Sequence, residues 1–246
     1  MKIDLKDKKV LITGSTGGIG MSLCNKFAEM GSKIIFTSSD KEKLNNLNNT
    51  FGKDHQYYQL DLLDIKNLSL NMDQITQENK DIDILISNAG VTKDNIFLRM
   101  KAQQWNDVIN INLNSNFYII KSILPNMIKN KSGNIIGITS VVANTGNPGQ
   151  ANYTASKSGL ISMYKSLALE VAQRNIRINL ISPGFILSPM TEKLNEDQKN
   201  LIMNKIPMKK LGSPDDIANL AIFLASNFSS YITGQTFHVN GGMLMV

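Results

Sequence analysis

Val10-Leu11-Ile12-Thr13-Gly14-Ser15-Thr16-Gly17-Gly18-Ile19-Gly20 is the stretch that decides the fold. A short apolar run rich in branched side chains, ending in a glycine-rich turn that opens an amphipathic segment, reads as strand, tight turn and helix. Glycines let the main chain turn sharply and approach a ligand, and the free amides at a helix amino terminus attract a pyrophosphate. The strand-turn-helix setting therefore predicts a dinucleotide site with Gly14, Ser15, Thr16, Gly18, Ile19 and Gly20 as contacts. The spacing is TGxxxGxG rather than GxGxxG.

Working outward, further short runs fall at Lys33 to Ser38, Gln56 to Leu60, Ile82 to Ser87, Asn134 to Thr139, Arg177 to Ser182 and Gln235 to Val239, with helix-like segments between them. Strands alternating with helices imply right-handed βαβ units. The expected fold is α/β, a Rossmann-type doubly wound parallel sheet of about seven strands with helices on both faces. Residues 1–246 are expected to form a single NAD(P)-binding domain. The segment Ser182 to Lys205, with Pro183 and Pro189, breaks the rhythm and reads as a mobile substrate loop with short helices, a plausible lid beyond the carboxyl ends of the strands.

Composition narrows the function classes. Of 246 residues, 42% are hydrophobic, enough for an ordinary core, and no apolar run approaches the length of a membrane span. The amino terminus has no leader-like pattern, so the expectation is a soluble, cytoplasmic protein. One cysteine, Cys24, excludes an internal disulfide, and two separated histidines, His55 and His238, argue against a metal centre. The net charge of +6 comes from scattered basic residues, without the aromatic interleaving of a nucleic-acid surface.

At the end of the second strand stand Thr37, Ser38 and Ser39, where a carboxylate would serve the ribose hydroxyls of NAD. No acidic residue appears at this strand end until Asp40, so NADP(H) is expected over NAD, with Lys41 or Lys43 as the counter-charge to a 2′-phosphate. Asp61-Leu62 and Asn88-Ala89-Gly90 close the next two strands and read as adenine and ribose contacts, although Asp, Asn and Gly also fill ordinary turns.

Tyr153-Thr154-Ala155-Ser156-Lys157, with Ser140 upstream, supplies a phenol, an ammonium and a hydroxyl. On a helix, Tyr153 and Lys157 share one face at i,i+4, so the cation is expected to lower the phenol pKa toward the working pH.

Taken in order, TGSTGGIG, SNAG, Asn112 in Ile-Asn-Leu, Ser140, YTASK and SPG resemble the short-chain dehydrogenase/reductase family across essentially the whole chain. The resemblance implies that Tyr153 exchanges a proton with the substrate oxygen and that Ser140 hydrogen-bonds that oxygen. It further implies that Lys157 also holds the nicotinamide ribose, and that Asn112, chosen over Asn110 for the leucine that follows, positions a water. Pro183, Gly184 and Ile186 with Ser188 resemble the region that grips the nicotinamide carboxamide. GNPGQANYTASKSGL, SPGFI and YITGQTFHVNGGM are similar to members that reduce 3-oxoacyl groups on acyl carrier protein in fatty-acid biosynthesis. That likeness implies an NADPH-dependent homotetramer, with Lys129, Lys131 and Arg174 as docking residues for the acidic carrier protein. The alternatives are reduction of a 3-oxoacyl-CoA, polyol or steroid ketone, or a nucleotide-binding regulator without turnover.

Overall fold

Residues 3–188 and 196–246 are described in a computed structural model of the chain. The first five strands are β1 Lys9–Ile12, β2 Lys33–Ser38, β3 Gln56–Gln59, β4 Ile84–Ser87 and β5 Gly133–Ile138. With β6 Ile176–Pro183 and β7 Thr236–Val239 they form one parallel sheet in the order β3-β2-β1-β4-β5-β6-β7. The expected doubly wound sheet is what the chain forms. Strand order reverses between β1 and β4, and a crevice opens at such a switch point beyond the carboxyl ends of the strands.

The strand pattern explains the two cores. Alternate residues of a strand face opposite sides. Val10, Ile12, Ile34, Phe36, Ile84, Ile86, Ile136 and Ile138 face one side, where they meet α1 Gly18–Glu29, α2 Lys41–Phe51 and a later helix, Pro214–Ala225. Leu11, Ile35, Leu85, Ile135, Ile178 and Leu180 face the other, against α3 Ile65–Glu78 and two long helices described next. Apolar strands covered on both faces are what parallel pairing requires.

Those long helices are interrupted rather than uniform. The first is α4 Ala102–Ile109, a π-helical turn at Asn110–Asn114, and α5 Ser115–Asn130. After it come a short helix α6, Val142–Thr145, and α7, Ala151–Val171, which ends in a 3-10 turn at Ala172–Arg174. The irregular turn escaped a period-counting argument because one wide turn leaves the apolar spacing on either side intact.

The loop expected from Ser182 differs at its start, and a short helix of the kind expected lies within it. Ser182 and Pro183 are the last residues of β6, a parallel bridge joins Ile186 to Gly212, and Glu196–Asn204 is helix α8. Pro189 and the rest of 189–195 lie outside the described residues. The helix Pro214–Ala225, α9, is capped by Ser213, whose hydroxyl accepts from Asp216 N while the Asp216 carboxylate accepts from Ser213 N. No helix among the described residues is long and apolar enough to cross a membrane.

Candidate active site

The glycine turn after β1 is built by contacts that leave no room for side chains. Gly14 adopts φ +66°, and a Cβ on it would stand 2.9 Å from Ala89 Cα. A Cβ on Gly20 would fall 2.1 Å from the Gly14 carbonyl oxygen. Side chains from neighbouring strands fix this turn. Asn88 Nδ2 donates to the carbonyls of Thr13 and Gly14 at 3.0 and 3.1 Å, and Thr13 Oγ1 accepts from the amides of Asn88 and Ala89. The turn is thus held in place by the protein, with the amino terminus of α1 beside it.

The cleft at the switch point, of ≈ 510 Å³, is lined from one end to the other by expected residues. Gly14, Thr16, Gly18, Ile19 and Gly20 form one part, Thr37, Ser38, Asp61 and Leu62 the next, and Asn88, Ala89 and Gly90 the floor. Ser140, Tyr153, Lys157, Pro183, Gly184, Ile186 and Ser188 complete it. Gly17 of the glycine-rich turn and Ser39 after β2 also line it, as do Leu60, Val91, Ile111, Ile138, Thr139 and Leu187, which no motif announced. A volume in this range with a glycine-and-amide end and a hydroxyl-rich end suits a nucleotide cofactor plus a small reacting group.

Two expected contacts are elsewhere. Ser15 is wholly buried; its hydroxyl donates to Ile12 O at 2.9 Å and accepts from Thr37 N at 3.1 Å, so it is a strut between β1 and β2. Asn112 is equally buried in the π-helical turn. Its Oδ1 accepts from Val91 N at 2.8 Å, and its Nδ2 donates to Val91 O and Ser156 Oγ at 3.0 and 3.1 Å. The side chain therefore fixes the loop after β4. Its main-chain carbonyl takes a hydrogen bond from Asn116 Nδ2 at 2.9 Å.

The three reacting groups meet at the mouth of β5. Ser140 follows that strand and lines the cleft with Tyr153, near enough for its hydroxyl to favour the ionised phenol. Lys157, one turn along α7 and 3% exposed, donates from Nζ to the carbonyl of Ile138 at 2.8 Å, with Nζ 5.7 Å from the Tyr153 ring centre. That carbonyl is the one acceptor the described residues give it, so two of its three N–H donors remain for hydroxyl groups in the cleft.

The expected lowering of the phenol pKa is not what this site does by itself. Burial pushes Tyr153 up from the ordinary phenol value, the hydrogen bond from Ser140 opposes it, and the Asp94 carboxylate adds to the rise. Burial likewise pushes Lys157 down to about 8. Desolvation leads in both groups, and neither residue stands among the causes of the other's shift.

Other expectations shift as well. Thr37 Oγ1 donates inward to Ile12 O at 3.1 Å, while Ser38 Oγ accepts from Asp40 N at 3.1 Å and pairs with Thr16 Oγ1 at 3.2 Å, next to Ser39 at the end of β2. Asp40 is occupied in capping α2, accepting from Lys43 N at 3.1 Å with Lys43 Nζ 3.7 Å away. Lys129, Lys131 and Arg174 are exposed, but they precede β5 and β6 and so stand at the amino edge of the sheet. Ser140 lies past the opposite end of β5, a separation of about 20 Å along a six-residue strand. The reason is topological: α5 and α7 run antiparallel to the strands, so their carboxyl ends return to the edge away from the cleft.

The pattern that defines a family described as Enoyl-(Acyl carrier protein) reductase matches residues 14–244. Among relatives, the 3-oxoacyl-[acyl-carrier-protein] reductase of Rickettsia bellii is 50% identical over 99% of this chain and 100% of its own length. The chain belongs to the short-chain dehydrogenase/reductase family. Proteins with the same reductase name in Buchnera aphidicola (subspecies Schizaphis graminum) and Escherichia coli K12 are 46% and 42% identical, over 100% and 99% of this chain. As a member of this family the chain is an oxidoreductase that uses a nicotinamide cofactor, and the glycine cradle, the Lys157 donors and the switch-point cleft fit such a group.

Proposed function

We propose that this short-chain reductase converts the ketone of a 3-oxoacyl-[acyl-carrier-protein] to the 3-hydroxy product, using NADPH, as one domain in the cytoplasm. The observation that carries the reading is the Ser140–Tyr153 hydroxyl pair beside the buried Lys157 ammonium. It sits in a chain alike over its full length to proteins named for that reaction. When bound, the reduced nicotinamide supplies a hydride to the ketone carbon.

Everything else falls to the chain's own side chains. The hydroxyls of Ser140 and Tyr153 hold the ketone oxygen from two directions, a preorganised pair aimed at the charge that develops there. The burial that raises the Tyr153 pKa keeps the phenol protonated at neutral pH, the form a reductase needs in order to donate. As the proton leaves, the amino terminus of α7 and the Lys157 cation favour the phenolate that remains. Lys157 also reaches the ribose hydroxyls with its remaining donors, and Asn112 holds the Val91 loop and offers its carbonyl to a connecting water.

NADPH is favoured over NADH by what β2 lacks. No free carboxylate stands at its end, since Asp40 is turned to the helix cap, while Ser38, Ser39 and the exposed Lys41 offer donors and charge to a 2′-phosphate. Cytoplasmic residence suits a single buried cysteine whose thiol burial pushes up to about 12. A homotetramer fits the exposed Phe117, Leu169 and Val246. In such an assembly Lys129, Lys131 and Arg174 would serve a neighbouring subunit's cleft, because their own is across the sheet. The deciding experiment compares acetoacetyl-carrier protein with acetoacetyl-CoA, each with NADPH and NADH, on wild type and Tyr153→Phe, with sedimentation of the same samples. Carrier-protein turnover with NADPH that vanishes in Tyr153→Phe is expected. Turnover restricted to a polyol or steroid ketone, or full activity of Tyr153→Phe, would refute the substrate or the proton donor respectively.

A further inference from the structure

The main chain of Tyr153 is gripped on both sides by buried side chains that are themselves anchored elsewhere. On the amide side, Tyr153 N donates to Asn152 Oδ1 at 2.8 Å. Asn152 is wholly buried, and its Nδ2 donates to the carbonyls of Lys93 and Gln104, both at 3.0 Å. On the carbonyl side, Ser156 Oγ donates to Tyr153 O at 2.7 Å and accepts from Asn112 Nδ2 at 3.1 Å. Ser156 is also wholly buried. Neither Asn152 nor Ser156 lines the cleft.

A helix does not need these bonds to form. Tyr153 is the third residue of α7, so its amide has no acceptor within the helix, and its carbonyl already has the bond that helical geometry provides. The two side chains add something that helix formation does not: they tie this one residue to the loop after β4, to α4 and to the π-helical turn. Proton transfer needs the phenol oxygen within hydrogen-bond reach of the substrate oxygen, and a long side chain magnifies any rotation of the turn that bears it.

We propose that Asn152 and Ser156 are positioning residues for the reduction, a clamp that fixes the Tyr153 peptide and thereby aims its phenol. The proposal rests on the reading of Tyr153 as proton donor. Its residues hold the Tyr153 main chain from outside the cleft, and Ser156 also takes a hydrogen bond from the Asn112 side chain.

Ser156→Ala should lower kcat about ten- to a hundredfold while KM and the dissociation constant for NADPH stay within about twofold. Asn152→Asp, which keeps the acceptor for Tyr153 N but loses both donors, should show the same kcat-selective loss, and serves if Ser156→Ala does not fold. Thr76→Ala is the control: it removes a buried hydroxyl that donates to a helix carbonyl, Met72 O at 2.9 Å, far from the cleft. It should lower the melting temperature like Ser156→Ala and leave kcat at the wild-type value. Unchanged kcat in both clamp variants overturns the proposal, as does a loss shared equally by kcat, KM and NADPH affinity. Full activity of Tyr153→Phe instead refutes the proton donor, whatever the clamp variants do.

Discussion

Lys157→Met should make the folded protein more stable while destroying its activity. In the free enzyme the ammonium is 3% exposed with a single acceptor, Ile138 O, and burial lowers its pKa from 10.5 to about 8. The difference of about 2.5 units, at about 1.4 kcal/mol per unit, corresponds to about 3 kcal/mol by which burial disfavours the charged form. Methionine keeps the unbranched apolar stem and removes that penalty, but forfeits one hydrogen bond worth about 1 kcal/mol. The net expectation is a gain of about 2 kcal/mol at neutral pH, read as a higher urea midpoint. The sign of the pH dependence follows from the depressed value. Between about 8 and 10.5 the unfolded chain holds a proton that the folded chain has released, so wild-type stability from this group rises with pH across that window. Below about 8 both states are protonated, and the penalty is constant and fully present. Urea melts at several pH values should show that rise in wild type and its absence in Lys157→Met. A variant less stable than wild type at neutral pH, with an unchanged pH slope, would show that the lysine is better solvated or paired than this geometry allows.

Two smaller perturbations address other parts of the molecule. Gly20→Ala would bring a methyl group against the Gly14 carbonyl, which is backbone and cannot swing away, so a loss of about 1–3 kcal/mol in stability and much weaker NADPH binding are expected by urea melts and fluorescence titration. His55 Nδ1 accepts from Ile34 N at 3.0 Å, and burial lowers its pKa below the usual 6.5. Its contribution is complete above pH 6.5 and disappears as pH falls through the folded value, because a protonated Nδ1 cannot accept. Urea midpoints should drop from about pH 7.5 to about pH 5.5 by more in wild type than in His55→Gln, and equal drops would refute the assignment.

The sheet was legible because its strands announce themselves. Ile34 to Phe36 and Ile84 to Ile86 are apolar on both faces, a pattern that only a covered parallel sheet explains. The cleft was legible for a related reason: Gly14, Asn88 and Ser140 all follow strands, and ligand contacts gather at those ends. What escaped were the inward roles. A serine in a glycine-rich turn looks like a phosphate contact, yet Ser15 spends its hydroxyl on Ile12, and nothing local in the sequence separates the two uses. Asn152 and Ser156 were hidden by their neighbours, since Tyr153 and Lys157 account for the motif by themselves. The direction of the Tyr153 shift depends on how much water the site excludes, a three-dimensional quantity that i,i+4 spacing does not contain. Which end of the sheet Lys129, Lys131 and Arg174 occupy was also out of reach of the sequence: proximity to the active-site strand along the chain is not proximity to its reactive end.

The wide turn at Asn110–Asn114 has a consequence for phase. An α-helix advances about 100° per residue, so one surplus residue rotates everything after it by that amount relative to everything before. Upstream, α4 can thus direct Gln104 and Asp107 toward the start of α7 and the loop that carries Lys93. Downstream, α5 still directs Ile119, Ile120, Ile123 and Met127 onto the sheet. A single unbroken helix would have to choose one of these alignments. The turn acts as a gear between a segment set by the reaction and a segment set by the core, which lets either change its sequence without forcing the other out of register.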